Sequence, residues 1–138
     1  METHWEHFPH QADMGVRGYG ATKAQAFEQA ALAMVAVMLD PALVAPSEEI
    51  TVSCEAPDDE LLLTDWLNAL IFEMAVHHKV FGRFEVMIDD HALTARAWGE
   101  ALAPGRHAPS VEIKGATFTS LAVKPVDDGW LAQCVVDV

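Results

Sequence analysis

Two stretches of this chain have the helical repeat of apolar residues, and the stretches around them alternate as strands do. This arrangement limits most sharply which folds the chain can adopt. One covers residues 21–40, and the other starts at Asp58 or Asp59 and ends near 76–80. Apolar side chains three or four positions apart lie on one face of a helix, which must be buried against another layer. The remaining segments have the two-residue period of strands. This order predicts an α+β fold with two helices packed on a mostly antiparallel sheet.

Both predicted helices carry signals at their ends. Thr22 and Gln25 have the spacing of a capping box, and Asp40-Pro41 ends the first helix. The second helix has two candidate N-cap aspartates, whose charges suit the helix dipole. The buried face of the first helix comprises Phe27, Ala30, Ala31, Met34, Val35 and Met38. The buried face of the second comprises Leu63, Trp66, Leu67, Leu70, Ile71 and Met74.

Short strands fill the rest of the chain. The sequence predicts strands over WEHFPH, which Pro9 stops, and over MGVRGYG, EEITVSCEA, FGRFEVMI, LTARAWGE and WLAQCVVDV. VEIKGATFTSLAVKPV gives one long strand or two short ones, and APGRHAPS is a loop because of its Pro, Gly and Ser content. No linker interrupts the pattern, so we expect residues 1–138 to form a single domain, large enough to bury a core.

The charge balance bears on the class of partner. The chain carries 21 acidic and 8 basic residues, for a formal net charge of −13 with neutral histidines. Nucleic-acid affinity rests on Lys and Arg neutralising phosphates, so direct binding of RNA or DNA is disfavoured. Such a surface suits a basic partner protein or a cation, unless it only keeps the chain soluble.

Other features predict a cytoplasmic protein that does not enter a membrane. The N-terminus lacks the basic start and apolar run of a signal peptide. The longest apolar run, AALAMVAVML, is too short for the roughly 20 residues of a membrane helix. Cys54 and Cys134 lie among apolar residues, as buried thiols in a reducing compartment do.

The closing stretch, GWLAQCVVDV, alternates up to the last residue. One face of this predicted strand comprises Ala132, Cys134, Val136 and Val138, and the other comprises Leu131, Gln133, Val135 and Asp137. If the first face is buried, the terminal carboxylate is held still beside the carboxylate of the preceding aspartate. Two fixed anions repel each other, and a bound Ca²⁺, Mg²⁺ or Mn²⁺ would remove that cost. The alternative is an edge strand with a solvated acid and a frayed tail.

A further acid, Asp13, lies in HQADMGVRGYG between the first two strands. Glycines beside it let the backbone approach a ligand closely. His10 lies three residues before it. Taken alone, this stretch favours an ordinary loop acid with a nearby histidine.

Together these stretches resemble the archease family over nearly the whole chain. The resemblance rests on the order and spacing of HQADMGVRGYG, LLTDWLNALIFEM, VFGRFEV, WGEAL, RHAPSVEIKGATF and DGWLAQCVVDV. It implies a small α+β protein that assists an RtcB-type RNA ligase, which joins ends carrying a 3′-phosphate or 2′,3′-cyclic phosphate to a 5′-hydroxyl. Such a protein promotes guanylylation of the ligase and multiple turnover in tRNA splicing and RNA repair, and is not itself a catalyst.

The resemblance also implies a divalent metal site. Calcium is the first expectation, with Mg²⁺ and Mn²⁺ as alternatives. The family's ligands fall on Asp13, Asp137 and the terminal Val138. One departure is Gln11, where the family usually has Thr, and this change leaves Asp13 in register.

Four further residues are candidates for supporting that site or contacting a partner: His10, Glu100, His107 and Lys114. Lys114, a strong base near an acidic site, could address a nucleotide phosphate or balance the acids. For His107 and Lys114 the simpler interpretation is a solvated loop and a strand edge. Trp98 falls opposite the inward residues of its strand, where we expect it to be exposed.

Two other functions remain open from the sequence. A metal-dependent phosphoesterase would use Asp13, Asp137 and His10, although the chain has no HExxH, GxSxG or phosphate-loop motif. A chaperone-like binding module would use the metal only to hold its fold.

Overall fold

Antiparallel sheets and two long helices make up the fold. The computed structural model describes residues 2–138. Its helices are α1 (Lys23–Met38), α2 (Asp59–His77) and the single turn α3 (Pro104–His107), with a 3-10 turn at Pro41–Leu43. Its strands are β1 (His4–His10), β2 (Asp13–Gly20), β3 (Glu48–Glu55), β4 (Lys79–Asp89), β5 (Ala92–Ala101), β6 (Gly115–Ala116), β7 (Ala122–Val126) and β8 (Gly129–Asp137). The predicted α+β class is confirmed.

The described strands form two sheets, in which every pairing is antiparallel. The first sheet has the order β1-β2-β8-β6, and β7 also pairs with β8. The second has the order β3-β5-β4. The last strand of the chain therefore lies in the middle of its sheet, with neighbours on both sides.

Capping side chains fix where the two long helices begin. The Thr22 hydroxyl accepts the Gln25 N–H at 3.1 Å, and Gln25 Oε1 accepts the Ala21 N–H at 2.9 Å. This is the predicted capping box, except that the return bond reaches one residue further back. At α2 it is Asp58 that caps, since its carboxylate accepts the Leu61 N–H at 2.8 Å.

The apolar faces of both helices are buried as predicted, apart from Met74, which is half-buried. The α1 helix packs on β2 and β8 of the first sheet and on β4 of the second. A Cβ atom on Gly18 would collide with the carbonyl oxygen of Ala26, so this glycine lets α1 lie directly on β2. Trp66 of α2 donates its indole N–H to the Phe27 carbonyl at 3.1 Å, which ties the two helices together.

Three local predictions need correction or refinement. Pro9 does not stop β1, which continues to His10; β1 is an edge strand, where the missing N–H of proline is tolerated. APGRHAPS is not all loop, because Pro104–His107 forms a helical turn. The stretch 111–126 contains two short strands, β6 and β7, rather than one long strand.

The structure places the two cysteines differently. Cys134 is fully buried, and burial raises the pKa of its thiol to about 12. Cys54 is half-buried, so the expectation of two buried thiols is only partly right. Within residues 2–138, no helix is long and apolar enough to span a bilayer.

Candidate metal centre

The hairpin formed by β1 and β2 positions Asp13. A two-residue turn, Gln11 and Ala12, connects the strands, and His10 pairs with Asp13 across it. Gln11 takes the left-handed backbone conformation, with φ of 54°. Asp13 is therefore the first residue of a strand rather than part of a loose loop.

The glycines near Asp13 serve packing rather than ligand access. A Cβ atom on Gly15 would collide with the ring of Phe8, and Cβ atoms on Gly18 and Gly20 would collide with α1. The structure gives these glycines a packing role that the sequence analysis did not predict. They let a ring and a helix approach β2 closely.

The central position of β8 holds the end of the chain. Met14 pairs with Val136, and one further step along antiparallel strands sets Asp13 opposite Asp137. On the other side, Gly115 pairs with Asp137, whose carbonyl accepts the Lys114 N–H at 2.8 Å. The alternative of an edge strand is therefore wrong.

A direct contact joins the chain end to Asp13. The main-chain N–H of Val138 donates to Asp13 Oδ1 at 3.3 Å. Val138 is half-buried and packs against the core, as the alternation of the last strand predicts. Residues 13 and 138, which are distant in sequence, are thus in contact. Asp137 precedes Val138 on β8, which lies between β2 and β6 in the sheet.

The chemistry of this cluster fits a hard divalent cation. Asp13 is half-buried and Asp137 is exposed, and within residues 2–138 neither carboxylate forms an ion pair with a basic side chain. The described residues therefore supply no basic partner for these two acids. All the donors are carboxylate oxygens, which Ca²⁺, Mg²⁺ and Mn²⁺ prefer.

The side chains of this cluster do not by themselves make up a metal site. No group of three His, Cys, Asp or Glu side chains in the described part of the chain is placed to hold a metal. The cluster has two such side chains, Asp13 and Asp137. A cation bound here would depend on the main-chain carboxylate of Val138 for its third anionic ligand.

Two of the four supporting candidates lie beside this cluster. His10 is half-buried and pairs with Asp13 across the hairpin turn. Lys114 is exposed, and its main chain is bonded to Asp137. Its ammonium group is therefore carried on the segment that flanks the acids.

Asn68 of α2 is a positioning residue that the sequence analysis missed. Its Oδ1 accepts the Ala116 N–H at 2.9 Å, and its Nδ2 donates to the Ala116 carbonyl at 3.4 Å. These bonds fix β6, which pairs with Asp137. The available signal was a polar residue inside the apolar run DWLNALIFEM, which is typical of a side chain with a specific partner.

Glu100 and His107 form a separate cluster. Glu100 pairs with Arg106 at 2.6 Å and accepts the Ala45 N–H and the His107 Nε2–H, both at 2.8 Å. The Ala103 N–H donates to His107 Nδ1 at 2.9 Å, so Nδ1 is the acceptor of this ring and Nε2 is its donor to Glu100. The hydrogen bond from Arg106, with those from Ala45 and His107, lowers the pKa of Glu100 to about 2.

This second cluster holds a loop together. His107 is 1% exposed, so its interpretation as a solvated loop residue is wrong. None of its contacts, nor those of Glu100, reaches Asp13 or Asp137. Trp98, two residues before Glu100 on β5, is half-buried rather than exposed as expected, because the guanidinium groups of Arg83 and Arg96 lie 4.6 and 5.2 Å from its ring centre.

Comparison with known families decides the relationship of this chain. The Archease protein family (MTH1598/TM1083) matches residues 5–138. The chain belongs to the archease family. The resemblance inferred from the sequence motifs is therefore confirmed over nearly the full length.

Curated archeases agree with this assignment. The chain is 37% identical to the protein archease of Pyrococcus furiosus and 40% identical to that of Thermococcus kodakarensis, in each case over 97% of this chain and 98% of the relative. Because almost the whole of each relative is covered, the similarity extends to the entire archease domain.

Two solved structures share the fold. The solution structure of protein 1598 of Methanobacterium thermoautotrophicum superposes with a TM-score of 0.83 at 34% identity, covering 97% of this chain and 98% of that one. A crystal structure from Thermotoga maritima, described as an archease and possible chaperone, gives a TM-score of 0.64 at 18% identity, with 95% and 94% covered. The archease fold thus includes both antiparallel sheets seen here.

Proposed function

We propose that this archease is an accessory protein of an RtcB-type RNA ligase, which it activates with the help of its own divalent metal. The metal, calcium in the first instance, is held by the carboxylates of Asp13, Asp137 and the terminal Val138. The observation that carries the proposal is the 3.3 Å hydrogen bond between the Val138 N–H and Asp13. This bond joins the chain end to Asp13, the first residue after the β1–β2 turn. The chain that carries it belongs to the archease family.

Each residue of the centre has a distinct part in this proposal. Asp13 orients the chain end by accepting the Val138 N–H, and the hairpin and the central strand hold the carboxylates in place. When bound, the cation neutralises these acids and offers a positive charge to a phosphate oxygen. Lys114 adds an exposed ammonium group from the neighbouring segment, suited to a nucleotide phosphate on the ligase.

The protein promotes guanylylation of the ligase active-site histidine and multiple turnover in tRNA splicing and RNA repair, and it performs no ligation itself. This proposal rests on the membership of the chain in the archease family and on the functions that the resemblance of its motifs implies. We place its work in the cytoplasm. Its partner is the ligase rather than the RNA, since its net charge of −13 repels phosphate backbones.

A time course of guanylylation tests this function. The ligase of the same organism is incubated with GTP and Ca²⁺, Mg²⁺ or Mn²⁺, with and without this protein, and covalent guanylylate per ligase is measured. We expect wild-type protein to raise the rate and Asp13→Asn to lose about tenfold or more of that effect, a loss equivalent to one strong metal ligand. Asp90→Asn, in the exposed β4–β5 turn, is the matched control and should behave as wild type. An unchanged rate with wild-type protein, or ligation by this chain alone, would refute the proposal.

A chaperone-like module with a structural metal is the second candidate. It is favoured by the description of the Thermotoga maritima protein as a possible chaperone. Chelation would then lower the thermal stability of the protein without any effect on a ligase. If the protein instead activates the ligase, we expect chelation to abolish this activation while the fold is retained.

A further inference from the structure

A groove of about 520 Å³ opens beside the C-terminal end of α2. Met74 and Ala75 of α2 form one wall, Met38 at the end of α1 forms part of the floor, and residues 109–113 form the opposite wall. Ligand clefts in proteins have volumes of roughly 300–1,000 Å³. The groove is thus large enough to take several side chains of a partner.

The wall formed by residues 109–113 is fixed at both ends. Ser110 donates its N–H to the Met38 carbonyl at 2.8 Å and its hydroxyl to the same oxygen at 3.2 Å. Ile113 is 4% exposed, and the next residue, Lys114, is bonded to Asp137. A partner that enters the groove therefore does not have to order this segment first, which lowers the cost of binding.

Exposed apolar residues extend the groove towards the candidate metal centre. Asn68, Phe72 and Ala75 are spaced i, i+4 and i+7 and share one flank of α2. Asn68 holds β6 beside Asp137, and Ala75 lines the groove, so Phe72 lies between the two. Phe72 is 55% exposed and Val111, on the opposite wall, is 39% exposed. Together with the groove, these two exposed apolar side chains form the surface that a partner would cover.

The charges around this surface select the partner. Glu112 is the one acidic residue that lines the groove, His78 is the one histidine, and no Lys or Arg lines it. The negative end of the α2 dipole lies at the same place. A cationic segment is therefore attracted, whereas RNA is repelled. A second copy of this chain, which also carries −13, is repelled as well.

We propose that this groove docks an apolar segment of a partner protein that is flanked by Lys or Arg residues. Apolar side chains of the segment enter between Met38, Met74 and Val111, where the flexible methionines adapt to their shape. Its basic residues lie near Glu112 and the end of α2, in the manner of an amphipathic helix bound in a groove. With the ligase as the partner, this inference rests on the proposed function and gives it a second point of contact beside the metal centre.

Fluorescence anisotropy with two labelled model peptides tests the groove without the ligase. Both peptides have about 14 residues, or four helical turns, with Leu at helical spacing; one has Lys at the remaining positions and the other Glu. We expect the Lys peptide to bind at least about tenfold more tightly than the Glu peptide. Val111→Lys should weaken its binding by about tenfold or more, because it puts a charge in the apolar wall.

The control is Met87→Lys, which makes the same change at a 64% exposed methionine on β4. It should leave the affinity within about twofold of wild type, as expected for a charge outside the interface. Phe72→Lys is the second groove variant, and circular dichroism checks the fold of all three. Equal weakening by the groove and control variants would overturn the proposal. So would equal binding of the two peptides, or no binding at millimolar peptide.

Two further measurements exclude other occupants and separate this inference from the proposed function. Groove-dependent binding of a labelled RNA, or wild-type self-association that Val111→Lys abolishes, would overturn the proposal in favour of RNA or a second copy. If wild-type protein activates the ligase and Val111→Lys activates it equally, the groove proposal fails and the proposed function stands. If wild-type protein never activates the ligase but binds the Lys peptide through the groove, the function fails and the groove proposal stands.

Discussion

At the scale of single residues, Asp13 holds the chain end and keeps free acceptor capacity on its carboxylate. One of its oxygens accepts the Val138 N–H, yet an ionised carboxylate has about four lone-pair sites in all, so acceptor capacity remains for a cation. The sequence predicted that Asp13 and the chain end belong together only through the family resemblance. It did not predict the burial of His107, because that depends on Glu100 and Ala45, which the chain brings together from distant positions.

Glu100 gives a prediction about acid stability. Its pKa is lowered in the folded protein to about 2 from an ordinary value of 4.5, chiefly by the hydrogen bond from Arg106. A lowered carboxyl pKa stabilises the fold above the unfolded-state pKa, and this contribution is lost as the pH falls through the folded-state pKa. We therefore expect the free energy of unfolding to fall between about pH 4.5 and about pH 2, and to fall less steeply in Glu100→Gln.

Urea unfolding at a series of pH values measures this difference. Glu55→Gln, at an exposed glutamate of β3, is the matched control and should keep the wild-type slope. Parallel pH profiles for wild type and Glu100→Gln would contradict the assignment of Glu100 to this stabilising cluster.

At the scale of elements, the central position of β8 in its sheet determines how firmly the last residues of the chain are held. A strand with neighbours on both sides, β2 and the pair β6 and β7, holds its last residues more firmly than an edge strand could. The alternation of GWLAQCVVDV predicted the strand and its buried face. It could not predict the central position, because the order of strands in a sheet depends on long-range pairing that local patterns do not encode.

Asn68→Ala tests the support of β6. The substitution removes both hydrogen bonds to Ala116, each worth about 0.5–1.5 kcal/mol, while alanine favours the helix. We therefore expect little change in global stability but faster hydrogen exchange at the Ala116 amide and weaker metal binding. Asp65→Ala, at an exposed position of the same helix, should change neither. Unaltered exchange at Ala116 in Asn68→Ala would show that β6 is held by other contacts.

At the scale of the whole molecule, the net charge disfavours direct binding of RNA. A net charge of −13 over 138 residues leaves few cations to displace the counterions of a phosphate backbone. We expect no binding of a tRNA fragment at about 150 mM salt in the absence of ligase. Gel-shift and anisotropy titrations check this, and tight, salt-sensitive binding would contradict it.

The overall architecture was only partly predictable from the sequence. The helical faces around Phe27 and Trp66 predicted the α+β class, since they must be buried against sheet. The division of the strands into two sheets was not predicted, because each local pattern fits either arrangement. The groove beside α2 was also not predicted, since its walls come from three segments distant in sequence.

The central claim is that the carboxylate of Val138 is a metal ligand, and calorimetric titration with Ca²⁺ tests it most directly. The comparison is between protein ending at Val138, protein with a C-terminal tag and protein with an N-terminal tag, with circular dichroism as the folding control. A C-terminal tag turns that carboxylate into a neutral amide carbonyl, a weaker ligand for a hard cation. We expect it to weaken Ca²⁺ binding by about tenfold or more, as the loss of an anionic ligand does, and the N-terminal tag to leave it close to wild type. Equal Ca²⁺ affinity in all three folded forms would contradict the claim.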